Sequence, residues 1–266
     1  MIYEQLLAGL EAGEKAVLLT LAEKKGGAYE PALNKKLWLG GRTTGGLGTP
    51  EGEREGDALL TAALNSGRLE QKQMPRPHGG EWLLLAEPLS PPAELIVLGG
   101  GNIAQPLVQI ARLLGYRVTV VDDRPDFAAP ARFPGAQRVI CADFVRAIGQ
   151  LTFGPWSSVV IVTRGHSQDL ACLEQVVEKD LAYLGMIGSL RKRTLIYQAL
   201  LEEGFSQADL ERVHAPIGLD IGADTPAEIA ISIAAELIAV RAGLSKAGGF
   251  LAQQHPLWER KTCPAG

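Results

Sequence analysis

Residues 94–104 read ELIVLGGGNIA, a short apolar run closed by three glycines and followed by helical spacing, with apolar side chains at Ile103, Leu107, Ile110, Ala111 and Leu114. Gly99, Gly101 and Ala104 fit G-x-G-x-x-A where a predicted strand meets a predicted helix. Glycine permits the tight turn, the bare Gly101 lets main chain approach a phosphate, and Ala104 lets the helix lie close to the strand. The N–H groups that open the helix, Asn102's among them, then face an anion, and the helix dipole favours negative charge there. Asp122 ends the next predicted strand about 20 residues further on, placed to accept ribose hydroxyls. Arg124 beside it is a cation suited to a 2′-phosphate, so the residues leave NAD, NADP and other phosphorylated ligands open. The alternative is a purely structural turn, with Asp122 and Asp123 as solvated loop residues.

Outward from this turn the chain alternates. Strands are expected at residues 94–98, 117–121, 138–141, 158–162 and 181–186, and a sixth at 212–215. Helices are expected at 103–114, 167–179, 190–203 and 226–242. Short, wholly apolar strands alternating with helices specify a parallel sheet covered on both faces, a Rossmann-like doubly wound α/β fold. Two adjacent prolines, Pro91 and Pro92, can continue neither a helix nor a central strand and mark a linker. Before it, residues 1–90 read as a smaller α+β domain: helices at 1–10 and 55–69, strands at 15–21, 36–39 and 81–86, and a long glycine-rich turn at 40–48. Residues 91–242 form the Rossmann-like domain, and 243–266 a loosely held tail without clear period.

Composition bounds the function. The 266 residues are 46% hydrophobic and 21% charged, enough apolar side chain to offset the entropy of ordering, which excludes a disordered chain. A formal charge of −4 argues against nucleic-acid or anionic-membrane partners. Three cysteines (Cys141, Cys172, Cys263) make no disulfide framework and fit a reducing compartment; Cys141 and Cys172 read as small buried hydrophobes and Cys263 as exposed. Glu4, Glu11 and Glu14 interrupt the leucines of the first fifteen residues, unlike a signal peptide, and Glu228 and Glu236 interrupt the apolar stretch 227–240, which is too short for a bilayer. The cytoplasm is the expected location. The four histidines (78, 166, 214, 255) and the scattered cysteines offer no zinc-ligand spacing, and no nucleophile elbow or P-loop is present.

Ligands of an open parallel sheet lie beyond the carboxyl ends of its strands, where three further segments converge. After the strand at 158–162, Arg164 reads as an anion anchor and His166 as a proton carrier or ligand, the one residue with a claim to catalysis. Ser167 reads as the cap of the following helix, and Asp169 as an acid favouring its first turn. After the strand at 181–186, Gly188 and Ser189 lead into Arg191, Lys192 and Arg193, three cations that oppose the helix dipole unless an anion sits there or water screens them. Before the last helix, Thr225, Pro226 and Glu228 spell a capping box. His214 reads as a hydrogen-bonded structural residue, and Asp224 is left without a structural explanation.

Residues 98–104, 120–125, 163–166, 184–192 (LGMIGSLRK) and 214–231 (HAPIGLDIGADTPAEIAI) resemble the XdhC/CoxI family, accessory factors of xanthine dehydrogenase and related molybdenum hydroxylases. The resemblance covers most of residues 93–242. It implies a maturation factor that binds the molybdenum cofactor, a phosphorylated pterin carrying the metal on a dithiolene. Such a factor holds the cofactor while a cysteine desulfurase exchanges an oxo ligand for sulfide, then delivers it to the apo molybdenum hydroxylase. A homodimer is the oligomeric expectation, and enclosure between two domains would protect an oxidation-sensitive pterin. The family's first module carries a glycine-rich GGG-x-x-E-like stretch, with a cysteine in some members; residues 45–51 here read GGLGTPE, without one. On this reading Gly99, Gly101, Asn102, Ala104, Asp122, Arg164, His166, Gly188, Ser189, Lys192 and Asp224 line the ligand, and no protein metal site is expected. The alternative is an NAD(P)-dependent oxidoreductase using the same turn and Asp122, with His166 as proton donor.

Overall fold

The computed structural model of the chain describes residues 2–25, 28–76 and 79–244. The readings of His78, His255, Cys263 and the tail beyond Leu244 therefore lie outside the described residues. The chain divides into two compact units, residues 1–92 and 93–266.

In the first unit α1 (Ile2–Glu11), β1 (Ala16–Lys25), β2 (Ala28–Leu39), β3 (Arg42–Gly45), α2 (Pro50–Ser66), β4 (Glu70–Pro75) and β5 (Glu81–Leu89) follow one another. The strands form one antiparallel sheet in the order β3-β2-β1-β5-β4. Period-two alternation divides the core: Val17, Leu19 and Leu21 pack with Leu60 and Ala63 of α2, while Ala16 and Leu37 pack with Leu6 of α1. Thr49 caps α2 by accepting the Gly52 N–H at 3.0 Å, and Pro50 occupies its first turn.

Two features depart from the sequence reading. Residues 40–48 are not a long turn: Gly40 and Gly41, with φ of 52° and 90°, close a two-residue hairpin that pairs Leu39 with Arg42 and opens β3. The polar stretch 70–75 is a strand, β4. It lies at the sheet edge beside β5, buries Met74 and leaves most of its side chains in water, so it carries no apolar pattern to read.

The second unit runs β6 (Glu94–Leu98), α3 (Ala104–Leu113), β7 (Arg117–Asp122), a 3-10 turn (Pro130–Arg132), β8 (Arg138–Cys141), α4 (Phe144–Ile148), β9 (Ser157–Ile161), α5 (His166–Val176), β10 (Tyr183–Met186), α6 (Leu190–Glu202), α7 (Gln207–Glu211) and α8 (Pro226–Arg241). Its strands are all parallel, in the order β10-β9-β6-β7-β8, a Rossmann-like doubly wound sheet. Leu95 and Val97 face a core shared with Leu107 and Val108 of α3 and Ile233 of α8, while Ile96 and Leu98 face Phe144, Leu173 and Ile196 of α4, α5 and α6. Both sheet faces are covered, which is why the central strands are apolar over most of their length.

The expected sixth strand is reduced to one parallel bridge, Gly185 with His214. His214 N donates to Leu184 O and its carbonyl accepts from Met186 N, but Pro216 has no N–H with which to continue the ladder. No helix among the described residues is long and apolar enough to cross a membrane.

Candidate functional site at the carboxyl rim of the parallel sheet

The chain leaves β6 through three glycines that serve two different purposes. Gly99 has φ of +116°, donates its N–H to Val121 O at 2.8 Å, and a Cβ on it would come within 2.7 Å of the Val162 carbonyl carbon after β9. A Cβ on Gly100 would lie 3.0 Å from the Phe127 carbonyl carbon and closer still to its oxygen. These two positions are bare because main chain passes against them on either side. A Cβ on Gly101, by contrast, would meet nothing within 4 Å. Gly100→Ala is therefore expected to destabilise by about 2 kcal/mol through backbone overpacking. In a unit of this size that lowers the thermal midpoint by roughly 4–8 °C, measurable by calorimetry.

Beyond Gly101 the chain enters α3 without a side-chain cap. Among the described residues no acceptor meets the N–H groups of Gly101, Asn102 or Ile103, and Asn102 is exposed. Ala104 is fully buried beneath them, as its place in the motif requires. Three unpaired donors thus stand at the positive end of a ten-residue helix, where the helix dipole favours negative charge.

Asp122 is not placed as the sequence reading expected. Its carboxylate is buried, 1% exposed, and turned back into the protein. One oxygen accepts the Gly100 N–H at 2.8 Å and Arg124 Nη2 at 3.0 Å; the other accepts Arg124 N at 3.0 Å and Arg124 Nε at 2.9 Å. Burial pushes this carboxyl up, but the guanidinium and the two main-chain donors outweigh it and hold Asp122 below the usual carboxylate range. As folded, it has no lone pair left for ribose; it fastens the glycine turn. Arg124 is held by the same contact and lies over the Phe127 ring, 3.5 Å from its centroid.

Past β9, Arg164 makes a bidentate pair with Asp123, Nη1 to Oδ1 at 3.0 Å and Nη2 to Oδ2 at 2.8 Å. His166 is the first residue of α5 and exposed. Ser167 does not cap that helix: Gly165 holds the cap position, with no side-chain bond. Asp169 does lie in the first turn of α5, as expected, but it is not there for the helix dipole alone. It is fully buried, accepts Thr163 Oγ1 at 2.5 Å, and forms an ion pair with Lys192 Nζ. Burial pushes its carboxyl up against the opposing pull of Lys192 and Thr163.

That pair also corrects the reading of the cations after β10. Lys192 is consumed by Asp169, and Arg193 donates to Ala215 O at 3.0 Å. Ser189 caps α6 through the Lys192 N–H at 3.1 Å, and a side chain on Gly188 would strike Lys192 Cδ at 2.8 Å. Gly188, Ser189 and Lys192 thus hold the α5–α6 corner together. Thr225 and Glu228 form the expected capping box, and Asp224 before it is exposed.

Sequence reasoning missed Glu236. It is buried on α8, with His214 Nδ1 3.0 Å from Oε1 and Tyr183 Oη and Gly218 N donating to Oε2 at 2.5 and 2.8 Å. Burial raises this carboxyl, yet His214, Tyr183 and Gly218 together hold it below its ordinary range. The signal was a glutamate in mid-helix among apolar neighbours. The cysteine reading also needs correction: Cys172 is buried, its thiol pushed up by burial, but Cys141 is exposed at the end of β8.

Residues 95–237 match the family model described as the XdhC Rossmann domain. The Escherichia coli protein YqeB, described as uncharacterized, is 34% identical over 163 residues, 61% of this chain and 30% of its own length. A Bacillus subtilis protein described as a probable subunit of xanthine dehydrogenase is 29% identical over 153 residues, 58% of this chain and 44% of its own. The E. coli molybdenum cofactor insertion chaperone PaoD is 32% identical over 85 residues, 32% and 27% of the two chains. The chain thus spans less than half the length of these curated relatives. A Bacillus halodurans crystal structure described as a xanthine dehydrogenase superposes with a TM-score of 0.67 at 24% identity, covering 91% of this chain and 65% of that one, a likeness of fold.

Proposed function

The chain belongs to the XdhC family, and on that premise we propose that it carries the molybdenum cofactor as cargo and seats the pterin's phosphate on the turn after β6. In this reading the chain performs no turnover of its own. It holds the cofactor while a cysteine desulfurase replaces an oxo ligand of the metal with sulfide, and gives it up to an apo-hydroxylase of the xanthine dehydrogenase type. The names carried by two of its relatives, one a cofactor insertion chaperone and one a probable part of xanthine dehydrogenase, support the class of cargo.

The observation that carries the reading is the trio of unpaired N–H groups at Gly101, Asn102 and Ile103, beside a Gly101 whose missing side chain leaves open space. Phosphate oxygens accept three such donors at once, and the helix dipole adds to the attraction. Arg164, after the neighbouring strand, holds Asp123 in a bidentate fork, and the same fork fits a phosphate. His166, exposed at the start of α5, is placed to meet the organic part of the cargo. The cargo brings its metal on its own dithiolene sulfurs, so these residues have only its phosphate and pterin to hold. Gly99, Ala104 and Asp122 shape the turn itself, while Gly188, Ser189 and Lys192 fix the α5–α6 corner at the same rim.

The oxidoreductase alternative draws less support. It needs Asp122 for ribose, and that carboxylate is spent on Gly100 and Arg124. Anaerobic purification followed by mass spectrometry of the released small molecules separates the two. A pterin phosphate recovered near one per chain is the expected result, and a nicotinamide nucleotide in its place would overturn it.

A further inference from the structure

Helix α8 is apolar on every side. Between Glu228 and Arg241 it reads IAISIAAELIAV, and the one charge in that stretch, Glu236, is buried, as is Ser232. Ala230, Ile233 and Leu237 are spent on the core beneath the parallel sheet. The other side of the helix carries Ala227, Ile231, Ala235, Ile238 and Ala242, at the spacings of three and four residues that keep side chains on one face. Ile231 is 51% exposed and Ile238 42%. A surface helix ordinarily turns charged or polar groups to water on such a face, and one that is apolar all round is covered. Exposed Leu113 ends the neighbouring α3, where Arg241 Nη1 reaches Leu114 O at 3.4 Å, and exposed Leu244 follows α8, so apolar surface continues at that end.

The stripe is complementary to itself. Ile231 and Ile238 share a midpoint, between Ala234 and Ala235, with the charges that bound the stripe, Glu228 and Arg241. A second α8 laid antiparallel across that midpoint brings Ile231 of each copy level with Ile238 of the other, and the small Ala235 at the centre lets the two helices come close. The same placement brings exposed Glu228 level with exposed Arg241 of the other copy at both ends. A parallel pairing instead sets like charge against like. An interface around a two-fold axis uses one patch twice and therefore needs a patch that matches itself in this way.

We propose that α8 is the contact helix of a homodimer, in which two copies of this chain pack their α8 helices antiparallel about a two-fold axis beside Ala235. The pairing stands or falls without the molybdenum cofactor. A helix of 16 residues is about 24 Å long and helices in contact stand about 8–10 Å apart, so the stripe covers on the order of 300 Å² on each copy. A standard stable interface takes roughly 800 Å² from each partner, so this dimer is a weak one, with a Kd on the order of 10 µM.

The experiment is sedimentation equilibrium of the full chain from about 1 to about 200 µM, a range that brackets this Kd. Wild type is expected to pass from monomer to dimer mass across it. Ile231→Glu and Ile238→Lys each set an unpaired charge against an isoleucine of the other copy and are each expected to raise Kd roughly tenfold or more. Their thermal midpoints are expected to stay at the wild-type value, because both positions are exposed in the single chain. Joined in one chain, the two substitutions meet as glutamate and lysine twice per antiparallel dimer, and are expected to return Kd to within about threefold of wild type. Arg241→Glu is expected to weaken the dimer about fivefold, and less in high salt. Leu195→Glu changes an exposed leucine on α6 and is expected to alter Kd by less than about twofold. A chain that is monomeric throughout would overturn the proposal and leave the face to residues 245–266 or to a different protein. A dimer indifferent to both single substitutions would overturn it by placing the contact elsewhere on the molecule. A double variant no tighter than the single ones would overturn the antiparallel pairing.

Discussion

Gly101→Val is expected to abolish binding of the phosphorylated cargo while leaving the thermal midpoint within about 2 °C of wild type, a stability change below 1 kcal/mol. The two halves of that result come from the same piece of geometry. A Cβ at this position meets no atom within 4 Å, and Gly101 is not among the glycines with positive φ, so valine needs no rearrangement of the fold. Loss of glycine's freedom in the unfolded chain offsets part of what the branched side chain costs. The isopropyl group instead fills the space in front of the Gly101, Asn102 and Ile103 donors. Losing two charge-assisted hydrogen bonds of about 1.5 kcal/mol each lowers affinity roughly 100-fold. Equilibrium dialysis against a pterin phosphate measures the binding, and calorimetry measures the fold. Gly100→Ala is the complement, expected to lose stability because it is pressed on the Phe127 carbonyl. A Gly101→Val protein that binds normally would make the whole turn a packing device.

The contrast between these neighbouring glycines shows how far the residues could be read in advance. The spacing of Gly99, Gly101 and Ala104 announced the turn because strand, glycine and helix lie next to one another in the chain. The capping box at Thr225 and Glu228 was legible for the same reason, and so were the strands of the parallel sheet, whose two covered faces leave mostly apolar runs. What escaped was whatever depends on a partner far along the chain. The strand at residues 70–75 exists because β5 offers it a backbone ladder, and its own side chains say nothing of it. Asp122 has an acid's usual place at a strand end, but Arg124 and the Gly100 amide claim it, and only the folded turn brings that amide there. Asp169, with its lysine 23 residues away, read as an ordinary first-turn acid. The location of the rim was therefore legible, while the assignment of its charges to scaffold or ligand was not.

Lys192 illustrates the difference in energy. Lys192→Met is expected to destabilise the Rossmann-like unit by about 3–5 kcal/mol at pH 7, because it strips the counter-charge from a fully buried carboxylate while keeping the volume of the stem. Burial already pushes Asp169 up, and Lys192 is among the groups that pull it back. Without that pull the folded pKa rises further above the unfolded value of about 3.9. A folded pKa raised in this way gives stability that is complete below the unfolded pKa and is lost as pH climbs through the folded one. The deficit of the variant is thus expected to be small near pH 4 and to widen toward neutrality, read as urea midpoints across that range. Adding Asp169→Asn removes the charge that needs a partner and keeps an acceptor for Thr163, so the double variant is expected to recover much of the loss and to show a flatter pH profile. A single variant as stable as wild type at pH 7 would mean that Lys192 is free of Asp169 in solution, and would return it to the anion-receiving role its place in the first turn of α6 suggests.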